Sequence, residues 1–96
     1  MATIRWSAQA RKDLEFISDY YQEVSSSYAE RFEEQIFETT RKLEAFPRSG
    51  RMIPESEDDQ LRELIYREYR IMYHVDDKNE EVLILTVIHS SRQFGG

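Results

Sequence analysis

The chain has 96 residues, 40% of them hydrophobic and 12% aromatic, with no cysteine and a formal net charge of -6. That suits one folded domain over residues 1–96 with a modest core, and it excludes a disulfide framework and a thiolate site. No broad basic patch exists, so the sequence-independent electrostatic part of nucleic-acid binding is weak.

The chain opens on Met1-Ala2-Thr3-Ile4-Arg5-Trp6, which has no apolar signal-peptide region. The longest apolar run, Val82 to Ile88, is far shorter than the roughly 20 residues of a membrane span. The cytoplasm is therefore the expected compartment, and no membrane partner is expected. Thr3-Ile4-Arg5-Trp6 alternates as a short first strand. Ser7 suits an N-cap for a helix whose apolar face is Ala10, Leu14, Ile17, Tyr21 and Val24. Ser25-Ser26-Ser27 breaks that helix. Ser27 and Glu30 have the spacing of a capping box for a second helix. Its apolar face is Ala29, Phe32, Ile36, Thr40 and Leu43, and Pro47 stops it. The short link predicts an antiparallel helical hairpin. This segment is acidic, with five cations against nine acids from Ala8 to Phe46.

The second half reads as β structure. Glu55 to Asp59 is an acidic, solvated loop. Leu61 to Tyr66 is a strand, in which Arg62 sits beside Glu63. Tyr69, Ile71, Tyr73 and Val75 then alternate with Arg70, Met72 and His74. After the polar turn Asp76 to Glu80 comes Val82 to His89, apolar on both faces and so a central strand. Its alternation groups Leu83, Leu85, Val87 and His89 on one face. The expected fold is α+β: an N-terminal strand, an antiparallel helical hairpin, then a three-stranded antiparallel meander forming one sheet. The helices can cover one sheet face, which leaves the other, or a groove beside it, to be completed by a partner.

These segments resemble, in order and spacing over nearly the whole chain, the RelE/ParE superfamily of toxins from type II toxin–antitoxin pairs. The matching words are Ile4-Arg5-Trp6, Ala10, Asp13-Leu14, Leu43, Phe46-Pro47, Gly50-Arg51 and Pro54. Arg62-Glu63, Tyr69-Arg70-Ile71-Met72-Tyr73, Val82 to Val87, and His89 with Arg92 complete them. The Arg-Glu strand start and the His-x-x-Arg ending look like the ParE branch. The resemblance implies a toxin silenced by a cognate antitoxin in a hetero-oligomer. ParE-like members are associated with poisoning DNA gyrase. RelE-like members cut messenger RNA on the ribosome. The fold alone does not choose between them, and a degenerate toxin that only binds antitoxin is a third alternative.

Nuclease chemistry needs a base for the 2′-hydroxyl, an acid for the leaving oxygen and cations for the phosphorane. His89, His74, Tyr73, Arg70 and Arg92 are the candidates here, with Arg70 and His89 the pair a nuclease would use. The paired basic residues of RelE-like nucleases are reduced to Arg62, and their C-terminal tyrosine is absent from Gln93-Phe94-Gly95-Gly96. Binding is thus favoured over catalysis. The candidate target surface is Arg70, His89 and Arg92, with Arg62 and Arg51. A salt bridge from Arg70 to Glu63 or Glu68 is the structural alternative. His74 and His89 lack ligand spacing, so neither a metal nor another cofactor is expected. Antitoxin contact is expected at Tyr20 and Tyr28 near the helix turn and at Glu30 and Glu34, through a helix in a groove or an added strand.

Overall fold

The computed structural model describes residues 1–92. Strand β1 (Thr3–Trp6) leads into helices α1 (Ala8–Gln22) and α2 (Ser26–Arg41), and α2 tightens into one 3-10 turn at Lys42–Glu44. Strands β2 (Arg51–Met52), β3 (Leu61–Tyr66), β4 (Tyr69–Asp76) and β5 (Glu81–His89) follow. They form one five-stranded sheet in the order β1-β5-β4-β3-β2. The α+β fold and the β3-β4-β5 meander are as expected. Strand β2 is an addition, because two residues are too few to show an alternation. The helical hairpin returns the chain so that β1 lies parallel to β5, while every other pairing is antiparallel.

Both helices bury the stripes their periodicity predicts. Ala10, Leu14 and Ile17 from α1 meet Phe32 and Ile36 from α2, above Leu64, Ile71, Tyr73, Val75, Val82, Ile84 and Val87 of the sheet. Two local expectations are corrected. The cap of α2 is Ser25, whose hydroxyl accepts from the Tyr28 N–H at 3.2 Å, so Ser27 lies inside the helix and no Ser27–Glu30 box forms. Val24 lies beyond the end of α1 and is 79% exposed, so the apolar stripe stops at Tyr21.

A bulge in β5 overrides its strict alternation. Met72 faces Thr86 and Tyr73 faces Ile84, which leaves Leu85 without a partner on β4. Val82, Ile84 and Val87 are therefore buried, and Leu83, expected to share a face with Val87, is exposed. Helix α1 holds the bulge. Asp13 Oδ2 accepts from the Thr86 hydroxyl and from the Val87 N–H, the latter at 3.0 Å. Ser7 caps α1 by accepting from the Ala10 N–H, and its hydroxyl donates to the Leu85 carbonyl at 2.9 Å. Asp13→Ala removes the acceptor for two polar groups at a packed junction. It is expected to lower stability by about 1–3 kcal/mol in chemical denaturation. An unchanged midpoint would mean that the strand ladder alone holds the bulge.

The face of the sheet turned away from the helices is not simply open. Arg70, Met72 and His74 of β4 lie on it. Met72 is fully buried, as is Ile53 in the loop between β2 and β3. That loop folds back and places Glu55 against Arg70. The chain itself therefore covers this end of the face. Ile65 and Leu83 on the same side remain exposed.

Candidate functional site

Arg70 is the hub of the second sheet face. Its Nε donates to Glu63 Oε1 at 2.7 Å. Its Nη1 and Nη2 grip the Glu55 carboxylate in a fork at 2.8 and 2.7 Å. Nη1 also donates to the Arg92 carbonyl at 2.8 Å, which ties down the chain after β5. The Arg70 side chain is 7% exposed and that of Glu63 is fully buried. Glu63 is satisfied on both oxygens, because Arg51, directly across from it on β2, donates to Oε2 at 2.5 Å. A buried carboxylate is tolerated when it is paired and hydrogen-bonded in this way. Hydrogen bonding to Glu55 first, and then to Glu63, raises the Arg70 pKa further above its ordinary value. Arg51, Glu63, Arg70 and Glu55 alternate in sign and sum to zero formal charge.

This network decides between the sequence alternatives for Arg70. The partner within the sheet is Glu63, not Glu68. The strongest grip comes from Glu55, in the loop expected to be solvated. Glu63 is an expected salt-bridge alternative for Arg70, and Glu55 was missed as a member of the site. The signal for Glu63 lies in the strand Leu61-Arg62-Glu63-Leu64-Ile65, where alternation sets it on one face between Leu61 and Ile65. Glu55 had no such signal, because nothing local distinguishes it from Glu57.

Arg62 also has a framework role. Its Nε donates to the Asp59 carbonyl at 2.9 Å and its Nη1 to the Gly50 carbonyl at 3.2 Å. Gly50 is held from its other side as well, where its N–H donates to the Tyr73 hydroxyl at 3.0 Å. Burial, its main influence, pushes the Tyr73 phenol up from its usual pKa.

His89 and Arg92 are placed differently. They line a cleft of about 300 Å³ between α1 and the ends of β4 and β5, with Phe16, Tyr20, Tyr69 and Asp13 on its walls. Phe16 and Tyr20 are 77% and 62% exposed. The His89 ring stands edge-on to Tyr69, with centroids 5.9 Å apart. The Ser91 N–H donates to His89 Nδ1 at 3.2 Å, and the Ser91 hydroxyl is 2.9 Å from the same nitrogen. An acceptor at Nδ1 places the proton of the neutral ring on Nε2. Nδ1 is thus engaged by Ser91, which leaves Nε2 as the ring nitrogen to meet a ligand. Among the five target candidates, the cleft brings together His89 and Arg92. Arg70 and Arg51 belong to the carboxylate network, and Arg62 is engaged with the Asp59 and Gly50 carbonyls. The Gln93–Gly96 ending lies outside the described residues.

At the turn of the helical hairpin, Tyr20 and Tyr28 are exposed on either side of Tyr21, with ring centroids 5.4 and 4.8 Å from it. Tyr21 shares a 2.8 Å hydrogen bond with the Tyr69 hydroxyl, and burial pushes its pKa well above the usual range. Glu30 and Glu34 are exposed on α2. Among the described residues, no cluster of histidine and carboxylate side chains is placed to hold a metal ion, and no helix is long and apolar enough to cross a membrane.

A family model described as the ParE toxin of the type II toxin–antitoxin system, parDE, matches residues 4–94. A chromosomal ParDE toxin–antitoxin system from P. aeruginosa has a similar structure, with a TM-score of 0.75 and 25% identity over 93% of this chain and 96% of the other. The intact RelBE complex of E. coli shares the fold, with a TM-score of 0.60 and 17% identity over 96% of this chain and 100% of the other. The RelBE2 complex of Mycobacterium tuberculosis does so with a TM-score of 0.58 and 23% identity over 92% and 96%. No curated protein matches by sequence.

Proposed function

This chain belongs to the ParE toxin family of type II toxin–antitoxin systems, and on that premise we propose that it acts by binding DNA gyrase in the cytoplasm and is silenced by a cognate antitoxin. The observation that carries the choice of binding over cleavage is the state of Arg70. A nuclease needs that cation to meet a phosphate. Here both faces of its fork are filled by Glu55 and Glu63, and a phosphate approaching them meets two carboxylates. The proposed target surface is the cleft bearing His89 and Arg92 beside Phe16 and Tyr20. Arg70, Arg62 and Arg51 hold its framework. The antitoxin is proposed to lie on the helical hairpin across Tyr20, Tyr28, Glu30 and Glu34, where two exposed tyrosines stand beside exposed carboxylates.

The test is expression without antitoxin, followed by examination of DNA and RNA, together with a supercoiling assay on purified gyrase. Gyrase-linked breaks with intact transcripts are expected. His89→Ala combined with Arg92→Ala is expected to weaken gyrase inhibition about tenfold or more at unchanged thermal stability, the loss of two surface contacts. Ribosome-dependent cuts in messenger RNA would replace this reading with the ribonuclease one. A chain that binds antitoxin yet causes no growth defect would mark a degenerate toxin.

A further inference from the structure

Helix α1 has a second groove on its other flank, between α1 and α2 and opening toward β1. Its apolar surfaces are Leu14, Trp6 and Phe37, and it encloses about 450 Å³. Trp6 and Phe37 meet edge to face with centroids 5.3 Å apart, and Phe37 is 46% exposed. Three carboxylates, Glu15, Asp19 and Glu33, stand around these surfaces with one cation, Arg11. No ion pair among the described residues engages any of the three. Glu38, Asp77 and Glu81, by contrast, are each paired with an arginine. The groove is thus apolar inside and carries a net negative rim of three acids and one cation.

We propose that this groove is a docking slot for a cationic, partly apolar segment of a partner protein, one that lays an arginine or lysine stem on Trp6 and Phe37 and its charged head among Glu15, Asp19 and Glu33. The chemistry of the walls selects this occupant. An aliphatic stem gains from the apolar surface while its head stays at the polar rim. A guanidinium over an indole or phenyl face adds cation–π attraction. A second copy of this acidic chain would set like charges against the rim, and an acidic segment would do the same. The inference rests on the antitoxin reading above and deepens it: the antitoxin segment that crosses the hairpin is basic at this point. The slot lies on the opposite side of α1 from the His89–Arg92 cleft, so its occupant need not enter the proposed target surface.

The single tryptophan of the chain, Trp6, reports occupancy directly. An arginine-bearing amphipathic peptide is expected to shift Trp6 emission saturably, and a peptide with glutamate in place of arginine is not. The triple substitution Glu15→Gln, Asp19→Asn and Glu33→Gln is expected to weaken the arginine peptide about tenfold and to flatten its salt dependence, because rim charges act through screened attraction. Its melting temperature checks that the fold is intact. The cognate antitoxin, titrated by calorimetry, is expected to lose affinity to the triple variant by a similar factor. Equal shifts from both peptides, no shift from either, a concentration-dependent shift of the chain alone, or an antitoxin that binds the triple variant as tightly as the parent would each overturn the slot. An antitoxin that does not bind the parent chain would instead overturn the antitoxin reading, and the peptides would still decide whether the groove takes cations.

Discussion

Replacing Arg70 with alanine is expected to destabilise the fold by about 3–5 kcal/mol, the loss that follows when one member of a buried ion pair is removed. Glu63 would keep Arg51 on Oε2 but lose its partner on Oε1. The Arg92 carbonyl and the Glu55 carboxylate would lose their donors together. Glu55 lies in a loop and can turn to water. Glu63 is fixed in the middle of β3 and cannot. The harm therefore comes chiefly from Glu63, which leads to a second expectation. Arg70→Met combined with Glu63→Leu should recover most of the lost stability, because apolar side chains of similar volume can replace a buried pair at little cost. Arg70→Lys should fall between, since one ammonium cannot reproduce the planar fork on Glu55 while also reaching Glu63 and a carbonyl. Denaturant unfolding measures all three. Hydrogen exchange in the loop from 53 to 60 should accelerate in the alanine variant, because Arg70 fastens that loop. A denaturation midpoint unchanged by Arg70→Ala would sink the account of this network.

Gly50→Ala is expected to cost about 3 kcal/mol, at the upper end of what an inserted methyl does in a packed site. An added Cβ would sit 2.5 Å from the Glu63 carbonyl oxygen and 2.6 Å from the Tyr73 hydroxyl. The first is backbone in the middle of the sheet and cannot swing aside. The second is a fully buried phenol hydrogen-bonded to Gly50 itself. Tyr73→Phe separates the two contacts. Alone, it strands the Gly50 N–H and should cost about 1–3 kcal/mol. Combined with Gly50→Ala it should give no rescue, because the clash with the Glu63 carbonyl persists. Full rescue by the double variant would place the strain on the phenol instead. Gly50 precedes Arg51, so the same substitution should loosen the Arg51–Glu63 pairing and expose the Arg70 network to water.

Much of the scaffold was legible before any coordinates. The stripes Ala10–Leu14–Ile17 and Ala29–Phe32–Ile36, the Ser7 cap and the hairpin around Asp76 to Glu80 follow from spacing within a few residues. Two of the errors were local in origin and one was not. Three serines in a row offered three caps, and Ser25 forms the cap because the helical backbone begins after it. Val24 continued an apolar stripe whose helix had already ended. On β5, alternation failed at Leu85 because Asp13, far away in sequence, takes the Val87 N–H and makes a bulge stable there.

The candidate site divides along the same line. The sequence by itself determined the α+β architecture, the buried faces and the family signature, because period, capping and turn chemistry act between near neighbours in the chain. Only the tertiary structure decided which charges are spent and which are available. Arg70, the sequence's most prominent cation, is locked to Glu55, Glu63 and the Arg92 carbonyl, while His89 and Arg92 are set together in an exposed cleft. Ion pairing depends on distances of a few ångströms between residues from separate strands and loops. Such distances exist only once the sheet has assembled and the loop after β2 has closed over it.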